Sequence, residues 1–242
     1  MSDFELKYQP YGIRSILIEW PPEISEKILN DILIFKEAIK NNYTKQIVEV
    51  NHGYNSILVT YDVAINNIYS CFSELKACYS ELNGSIKLKS SHWNIPVCYD
   101  EKFGLDLRFL SEEKNLSIDA IIECHSKPIY SVYFTGFLPG FLYLGRLDDR
   151  LFQPRRSDPR LSVEKGSVAI GGQQTGIYPC DSPGGWHIIG KTPISLFDPT
   201  KNTPCFAKAG DKISFQPVNL EEFEHLKKEI ENGTYELEKL NL

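Results

Sequence analysis

The chain has 242 residues and a formal net charge of −6, with 42% apolar and 24% charged residues. This is an ordinary globular composition, long enough for one domain or two, and able to bury roughly 70% of its unfolded surface without staples. The acidic balance argues against nucleic acid as a partner, and no run approaches the ~20 apolar residues of a membrane span.

Elements can be read in chain order from hydrophobic period and punctuation. Ile13–Glu19 alternates apolar and polar, as a half-buried strand does. Pro21 and Pro22 open a helix whose Ile24, Ile28, Ile32, Phe35 and Ile39 form one stripe. Gln46–Asn51 and Ser56–Asp62 read as strands around Gly53. A second helix is expected over about Val63–Leu82, ended by Asn83-Gly84. Ile86–Leu88 and Ile95–Tyr99 read as extended. The resulting β-α-β-β-α-β order is that of a ferredoxin-like lobe.

Two short helices follow, Asp106–Lys114 and Ser117–His125, with Ser117 as an N-cap. Ile129–Thr135 alternates again. Beyond it, Ser167–Ile170, Trp186–Ile189, Ile194–Phe197 and Lys212–Pro217 are short strand candidates at barrel-like spacing, and Leu220–Asn232 reads as a closing helix. The expected fold is therefore α+β, with a domain 1–100, linker helices at about 101–128 and a β domain 129–242. The N-terminus MSDFELKYQP lacks the basic head and apolar run of a signal peptide. The six cysteines are scattered without CxxC or zinc spacing, so reduced thiols, a cytoplasmic location and no metal site are expected.

The chemistry concentrates in Phe134–Pro199, which holds 10 of the 16 glycines and 7 of the 14 prolines. Such density specifies backbone shape closely, and loops of defined shape are where sites lie. Gly185-Trp-His-Ile-Ile-Gly-Lys-Thr192 matches the P-loop pattern by letter, but Pro193 follows at once and the interior reads as a strand. Ser182-Pro-Gly-Gly185 is either a backbone nest for an anion or a plain tight turn. Arg155 and Arg160, held beside Pro154 and Pro159, are either carboxylate or phosphate clamps or solvated surface charges. His125 is a candidate general acid or base, or a hydrogen-bonded structural residue. Cys180 is a weak candidate nucleophile, since no histidine is placed beside it by spacing.

The same stretch closely resembles the KipI family, also called allophanate hydrolase subunit 1, or the PxpB-like B-subunit family of 5-oxoprolinase. The resemblance is carried by Gly136-Phe137, Pro139-Gly140-Phe141, Tyr143-Leu144-Gly145, Pro154-Arg155, Pro159-Arg160, Gly166-Ser167-Val168, Gln174-Thr175-Gly176-Ile177-Tyr178-Pro179, Ser182-Pro183-Gly184-Gly185-Trp186 and Thr192-Pro193. It runs well from about Ile95 to Val218. Lys191 departs from the family's usual Arg, Glu164 from its Pro, and Leu142 and Arg146 from Pro and Gly.

The resemblance implies a ferredoxin-like lobe followed by a cyclophilin-like β-barrel. It implies an ATP-dependent 5-oxoprolinase that opens 5-oxo-L-proline to L-glutamate, with a KipA-like protein and a LamB/YcsF-like protein as partner subunits. ATP, with Mg, would be held through the complex. Its rivals are a regulator that inhibits a sensor histidine kinase and one half of a biotin-dependent urea-type carboxylase. Under the oxoprolinase reading, the expected ligand set is Arg155, Arg160, Gln174, Thr175, Tyr178, Ser182, Gly184, Gly185 and Trp186, with His125 as the catalytic candidate.

Overall fold

The computed structural model describes residues 4–42, 46–82, 88–145 and 147–240. It divides into two compact units, Met1–Lys89 and Ser90–Leu242. The first is built from β1 (Lys7–Tyr11), β2 (Ser15–Glu19), α1 (Glu26–Asn42), β3 (Ile47–His52), β4 (Ser56–Tyr61) and α2 (Ile68–Ser80). Its antiparallel sheet has the order β1-β2-β4-β3.

Strands β2 and β3 flank β4 and are joined through α1, which is the split βαβ core of a ferredoxin-like lobe. The fourth position is filled differently from the sequence expectation. The edge beside β2 is taken by β1, hairpinned at Gly12 with φ 66°, whereas the Ile95–Tyr99 segment belongs to the other unit. The alternation of KYQPY is broken by Pro10, which hides this edge strand in the sequence. Of the Ile86–Leu88 segment, only Leu88 lies among the described residues, outside any strand, and Asn83-Gly84 lies outside them too.

Helix α1 starts at Glu26, so Pro21, Pro22 and Ile24 precede it instead of forming its first turn as expected. The rest of the stripe holds, with Ile28, Ile32, Phe35 and Ile39 all fully buried. They pack on Ile16, Ile18, Ile57 and Val59 from the sheet and on Leu75 and Tyr79 from α2. Helix α2 begins later than expected because Asn67 caps it, its side chain accepting from Ser70 N–H at 3.2 Å. Asp31 of α1 joins the layers. One of its oxygens accepts from Trp20 Nε1–H at 2.7 Å and from Tyr79 O–H at 2.6 Å.

The second unit runs β5 (His92–Cys98), α3 (Leu107–Lys114), α4 (Ile118–Ser126), β6 (Tyr130–Thr135), β7 (Leu142–Gly145), a 3-10 turn (Asp149–Leu151), β8 (Arg160–Val163), β9 (Ser167–Gly171), β10 (Gln174–Ile177), β11 (Ser182–Gly184), β12 (His187–Lys191), β13 (Lys212–Val218), α5 (Leu220–Glu231) and β14 (Lys239–Leu240). Seven strands close into a barrel in the order β12-β9-β10-β7-β6-β13-β5 and back to β12, with β14 added on β5 and β8 pairing separately with β11. Closure removes the sheet edges that would otherwise stay unpaired.

The barrel and the mixed α+β architecture agree with the sequence reading; the boundary does not. Strand β5 pairs in parallel with β13 along its whole length, so the units divide at Lys89/Ser90 rather than near residue 100. The stretch 101–128 is not a linker either, since Leu107, Leu110 and Ile121 are fully buried in the barrel unit's core. Ile194–Phe197 makes no strand: Pro193 lacks a donor, and Ile194 and Leu196 enter the core from irregular backbone.

Replacing Asp31 by Ala removes the acceptor that the Trp20 and Tyr79 donors share. A loss of about 1.5–3 kcal/mol in unfolding free energy is expected by urea denaturation, as for hydrogen bonds to a charged group.

Candidate ligand site on the outer face of the barrel

Alternation along two paired strands decides which side chains can meet a ligand. In β9, Val168 and Ile170 enter the core, and Ser167, Ala169 and Gly171 face outward; in β10, Thr175 and Ile177 enter, and Gln174 and Gly176 face outward. Gly171 lies opposite Gln174, and the indole of Trp186 rests where a side chain at 171 would be: a Cβ there would sit 2.6 Å from the ring. Glycine is thus required at 171 for the indole to lie flat against the barrel wall.

Around Trp186 gathers an aromatic surface. Phe141 meets it edge-on at 5.5 Å and Tyr143 at 6.1 Å, while Phe134 stacks on Tyr143 at 4.4 Å. The Arg155 guanidinium lies 5.7 Å from the Trp186 ring centroid. Arg155 makes no hydrogen bond or ion pair with a described residue, and neither does the Gln174 side chain. Burial raises the phenol pKa of Tyr143, and the positive charge of Arg155 opposes that rise. Beside this surface the Gly136–Gly140 loop presents Phe137, 63% exposed, with φ 67°. A bulky residue in the left-handed region stores strain, and such positions cluster at ligand sites. A positive φ at phenylalanine leaves no mark in the letters, so the sequence does not show this loop geometry.

The expected ligand set separates into residues that meet solvent and residues that do not. Arg155 is exposed and Gln174 half-buried on the outer face, while Trp186, only 4% exposed, is packed beneath them. Arg160 is already engaged: its Nη2 donates to Asp106 at 2.8 Å, and Arg156 donates to the same oxygen at 3.3 Å. Asp106 is only 3% exposed and accepts from Ile188 N–H at 2.6 Å through its other oxygen. This acidic residue was not singled out in the sequence, where it reads as a helix start. Tyr178 is buried under the turn, with a hydrogen bond to the Trp186 backbone and a phenol pKa raised by burial. A Cβ on Gly184 would come 2.3 Å from its hydroxyl, so that glycine serves close packing. Ser182–Gly184 forms β11 against β8, and Gly185 O accepts from Arg156 N–H at 2.8 Å, so the segment is ladder rather than open nest.

Thr175 and His125 are fully enclosed. Thr175 Oγ1 donates to Ala169 O at 3.1 Å, so it accepts from His125 Nε2–H at 2.8 Å, which leaves His125 Nδ1 to accept from Tyr99 O–H at 2.7 Å. The ring also stacks on Phe215 at 4.6 Å. Burial pushes the His125 pKa from 6.5 down to about 3, so the imidazole stays neutral. With both nitrogens occupied and no exposure, His125 locks the barrel core and does not reach a ligand. The P-loop match is likewise accidental: His187–Lys191 is β12, paired with β9. Cys180 is exposed, and the six cysteines are all free. Among the described residues no group of His, Cys, Asp and Glu could hold a metal, and no helix is long and apolar enough to cross a membrane.

A guanidinium and an amide on one face, neither hydrogen-bonded to a described residue, suit a carboxylate-bearing molecule. The carboxyltransferase domain family, subdomain C and D, matches residues 6–207, and the chain belongs to that family. Within it the chain stands with the B-subunits of 5-oxoprolinase: the one from Bacillus subtilis is 34% identical over 90% of this chain and 95% of its own length. The crystal structure of TTHA0988 superposes with a TM-score of 0.73 at 30% identity, over 86% of this chain and 40% of that one. The Kluyveromyces lactis urea amidolyase gives a TM-score of 0.82 at 23% identity, over 99% of this chain and 16% of that one, a likeness of fold.

The His125 geometry sets a pH dependence. Its folded pKa is depressed from 6.5 to about 3, so the unfolded chain binds the extra proton, and stability is complete above pH 6.5 and lost as pH falls toward 3. The expected slope is about 1.4 kcal/mol per pH unit within that window. Urea denaturation across it should show His125→Asn, which does not titrate, to be less stable at neutral pH but with that share of the slope removed.

Proposed function

We propose that this chain is one subunit of an ATP-dependent 5-oxoprolinase that converts 5-oxo-L-proline to L-glutamate. The observation that carries the reading is the unpaired Arg155 guanidinium on Trp186, beside the unpaired Gln174 amide, in a chain 34% identical to a protein named as the B-subunit of 5-oxoprolinase. 5-Oxoproline offers a carboxylate, a lactam N–H and a lactam oxygen. Arg155 answers the carboxylate, Gln174 pairs with the lactam amide, and the half-buried Tyr143 ring takes the flat ring face.

Transfer of the ATP γ-phosphoryl group to the lactam oxygen, with release of ADP, would activate the carbonyl carbon. Water adds there, and the lactam C–N bond breaks as nitrogen takes a proton. The γ-glutamyl phosphate so formed is hydrolysed by a second water to L-glutamate and phosphate. ATP and Mg are assigned to the assembled complex, formed in the cytoplasm with KipA-like and LamB/YcsF-like partner proteins. The strained, exposed Phe137 beside the ligand face suits closure of the site by one of these partners. A carboxyltransferase role is the second reading, favoured by the description of the matching family. Biotin would then come from another chain, since Met1 is the sole methionine and rules out a Met-Lys-Met carrier motif here.

The assay is 5-oxoproline-dependent ATP hydrolysis with the purified chain, alone and reconstituted with its partners. The chain alone is expected to show no turnover, and turnover without partners would reject the multi-subunit reading. Biotin-dependent carboxylation in place of lactam opening would establish the second one.

Arg155→Ala is expected to lower kcat/KM of the complex about 10- to 150-fold, the loss of one charged hydrogen bond of ~1.5–3 kcal/mol, with circular dichroism and partner binding unchanged. Kinetics equal to wild type would exclude Arg155 as a ligand. Loss of partner binding would place it at an interface between subunits instead.

A further inference from the structure

A concavity of about 130 Å³ on the barrel unit is lined by none of Arg155, Gln174, Tyr143 and Trp186. Its polar lining is Lys102, Lys191, Ser162, Ser167 and Glu164, and Phe103 lies between the two lysines. The Lys102 ammonium sits 5.3 Å from the Phe103 ring centroid and the Lys191 ammonium 5.5 Å from it. One aromatic ring thereby gathers two like charges, of which the Lys191 ammonium is paired with Glu164.

The groups are held by regular structure. Lys191 at the end of β12 is the cross-strand partner of Ser167 at the start of β9, so both side chains leave the same outer face. Lys102 is set by the turn after β5, where its N–H donates to Asp100 Oδ1 at 2.9 Å. Ser167 is only 4% exposed, lines the concavity, and its hydroxyl makes no hydrogen bond with a described residue; the Ser162 hydroxyl makes none either. The Ser167 hydroxyl lines the concavity beside the two lysines and can donate to an acceptor there.

The single carboxylate present is Glu164, which pairs with Lys191. The two side chains differ in setting: Lys191 is 21% exposed and Glu164 74%. An exposed carboxylate holds such a pair weakly and can swing into water, while the lysine stays in place. Glu164 and Lys191 are also two of the positions at which this chain departs from the pattern of the family it resembles, and the structure joins them to each other.

We propose that this pocket is a binding site for a small phosphate oxyanion, held by Lys102, Lys191, Ser162 and Ser167, with Glu164 as an exchangeable counter-ion at its mouth. The volume lies below that of pockets for drug-sized ligands, so it takes a single phosphate group and not a nucleotide. A dianion answers both ammonium groups at once, and its several oxygens accept from both hydroxyls. The site is separate from the oxoprolinase reading in that neither Arg155, Gln174, Tyr143 nor Trp186 lines it.

The test is titration of the purified chain with inorganic phosphate at low ionic strength, followed by calorimetry and phosphorus NMR, with acetate in parallel. Saturable phosphate binding is expected, with acetate weaker. Lys191→Met and Lys102→Met should each weaken it about tenfold or more, Lys191→Arg should retain it, and Glu164→Gln should tighten it severalfold. The absence of saturable phosphate binding would overturn the proposal. So would unchanged binding in folded Met variants, or acetate binding as tightly as phosphate. Should a Met variant not fold, Glu164→Gln, at an exposed side chain, decides the matter: unchanged or weaker phosphate binding there overturns it.

Discussion

A buried carboxylate organises the ligand-facing side of the barrel unit. Asp106 stands at the start of α3, almost wholly out of water, and such a charge persists only when paired and hydrogen-bonded. Its side chain does not cap its own helix. One oxygen takes the Ile188 N–H of β12 and the other takes Arg160 and Arg156, while the Asp106 N–H returns to Ile188 O at 2.9 Å. One residue thereby ties a helix start, a barrel strand and the Arg155–Arg160 segment together. Arg155 is carried between two tethered points: its neighbour Arg156 is held by Asp106 and, through its own N–H, by Gly185 O.

The division of labour among the arginines follows. Arg160 and Arg156 share the single negative charge of Asp106, so part of their hydrogen-bonding capacity is spent inside the fold. Arg155 differs by one position in the chain and meets an indole instead of a carboxylate. An aromatic face attracts a guanidinium without satisfying its N–H donors, so Arg155 keeps its capacity to bind an anion. The same contrast separates Gln174 from Thr175. They are neighbours in β10, and the pleat sends one to the outer face and the other to His125 in the core.

Much of this was legible in the letters. The α1 stripe, the β2, β3 and β4 patterns, the cap at Ser117 and the helix at Leu220 are local signals, written in period and punctuation, and they reappear in the structure. Short strands such as β7, β8, β10 and β11 left no such trace, since three or four residues cannot establish a period. Strand β5 was legible as a strand yet misassigned, because its partner β13 lies more than a hundred residues further on and no local pattern encodes that pairing.

By itself the sequence determined the class of the protein. Its composition, its Gly- and Pro-rich stretch and the ordered motifs from Gly136 to Pro193 mark the family, because backbone turns with special φ or close approach demand those residue types wherever they occur. Only the tertiary structure decided which polar residues are free. Whether an arginine, threonine or histidine meets solvent depends on what packs against it from distant parts of the chain: Asp106 for Arg160, Ala169 and His125 for Thr175, Tyr99 for His125. Burial and pairing are properties of three-dimensional neighbourhoods, and one-dimensional spacing does not carry them.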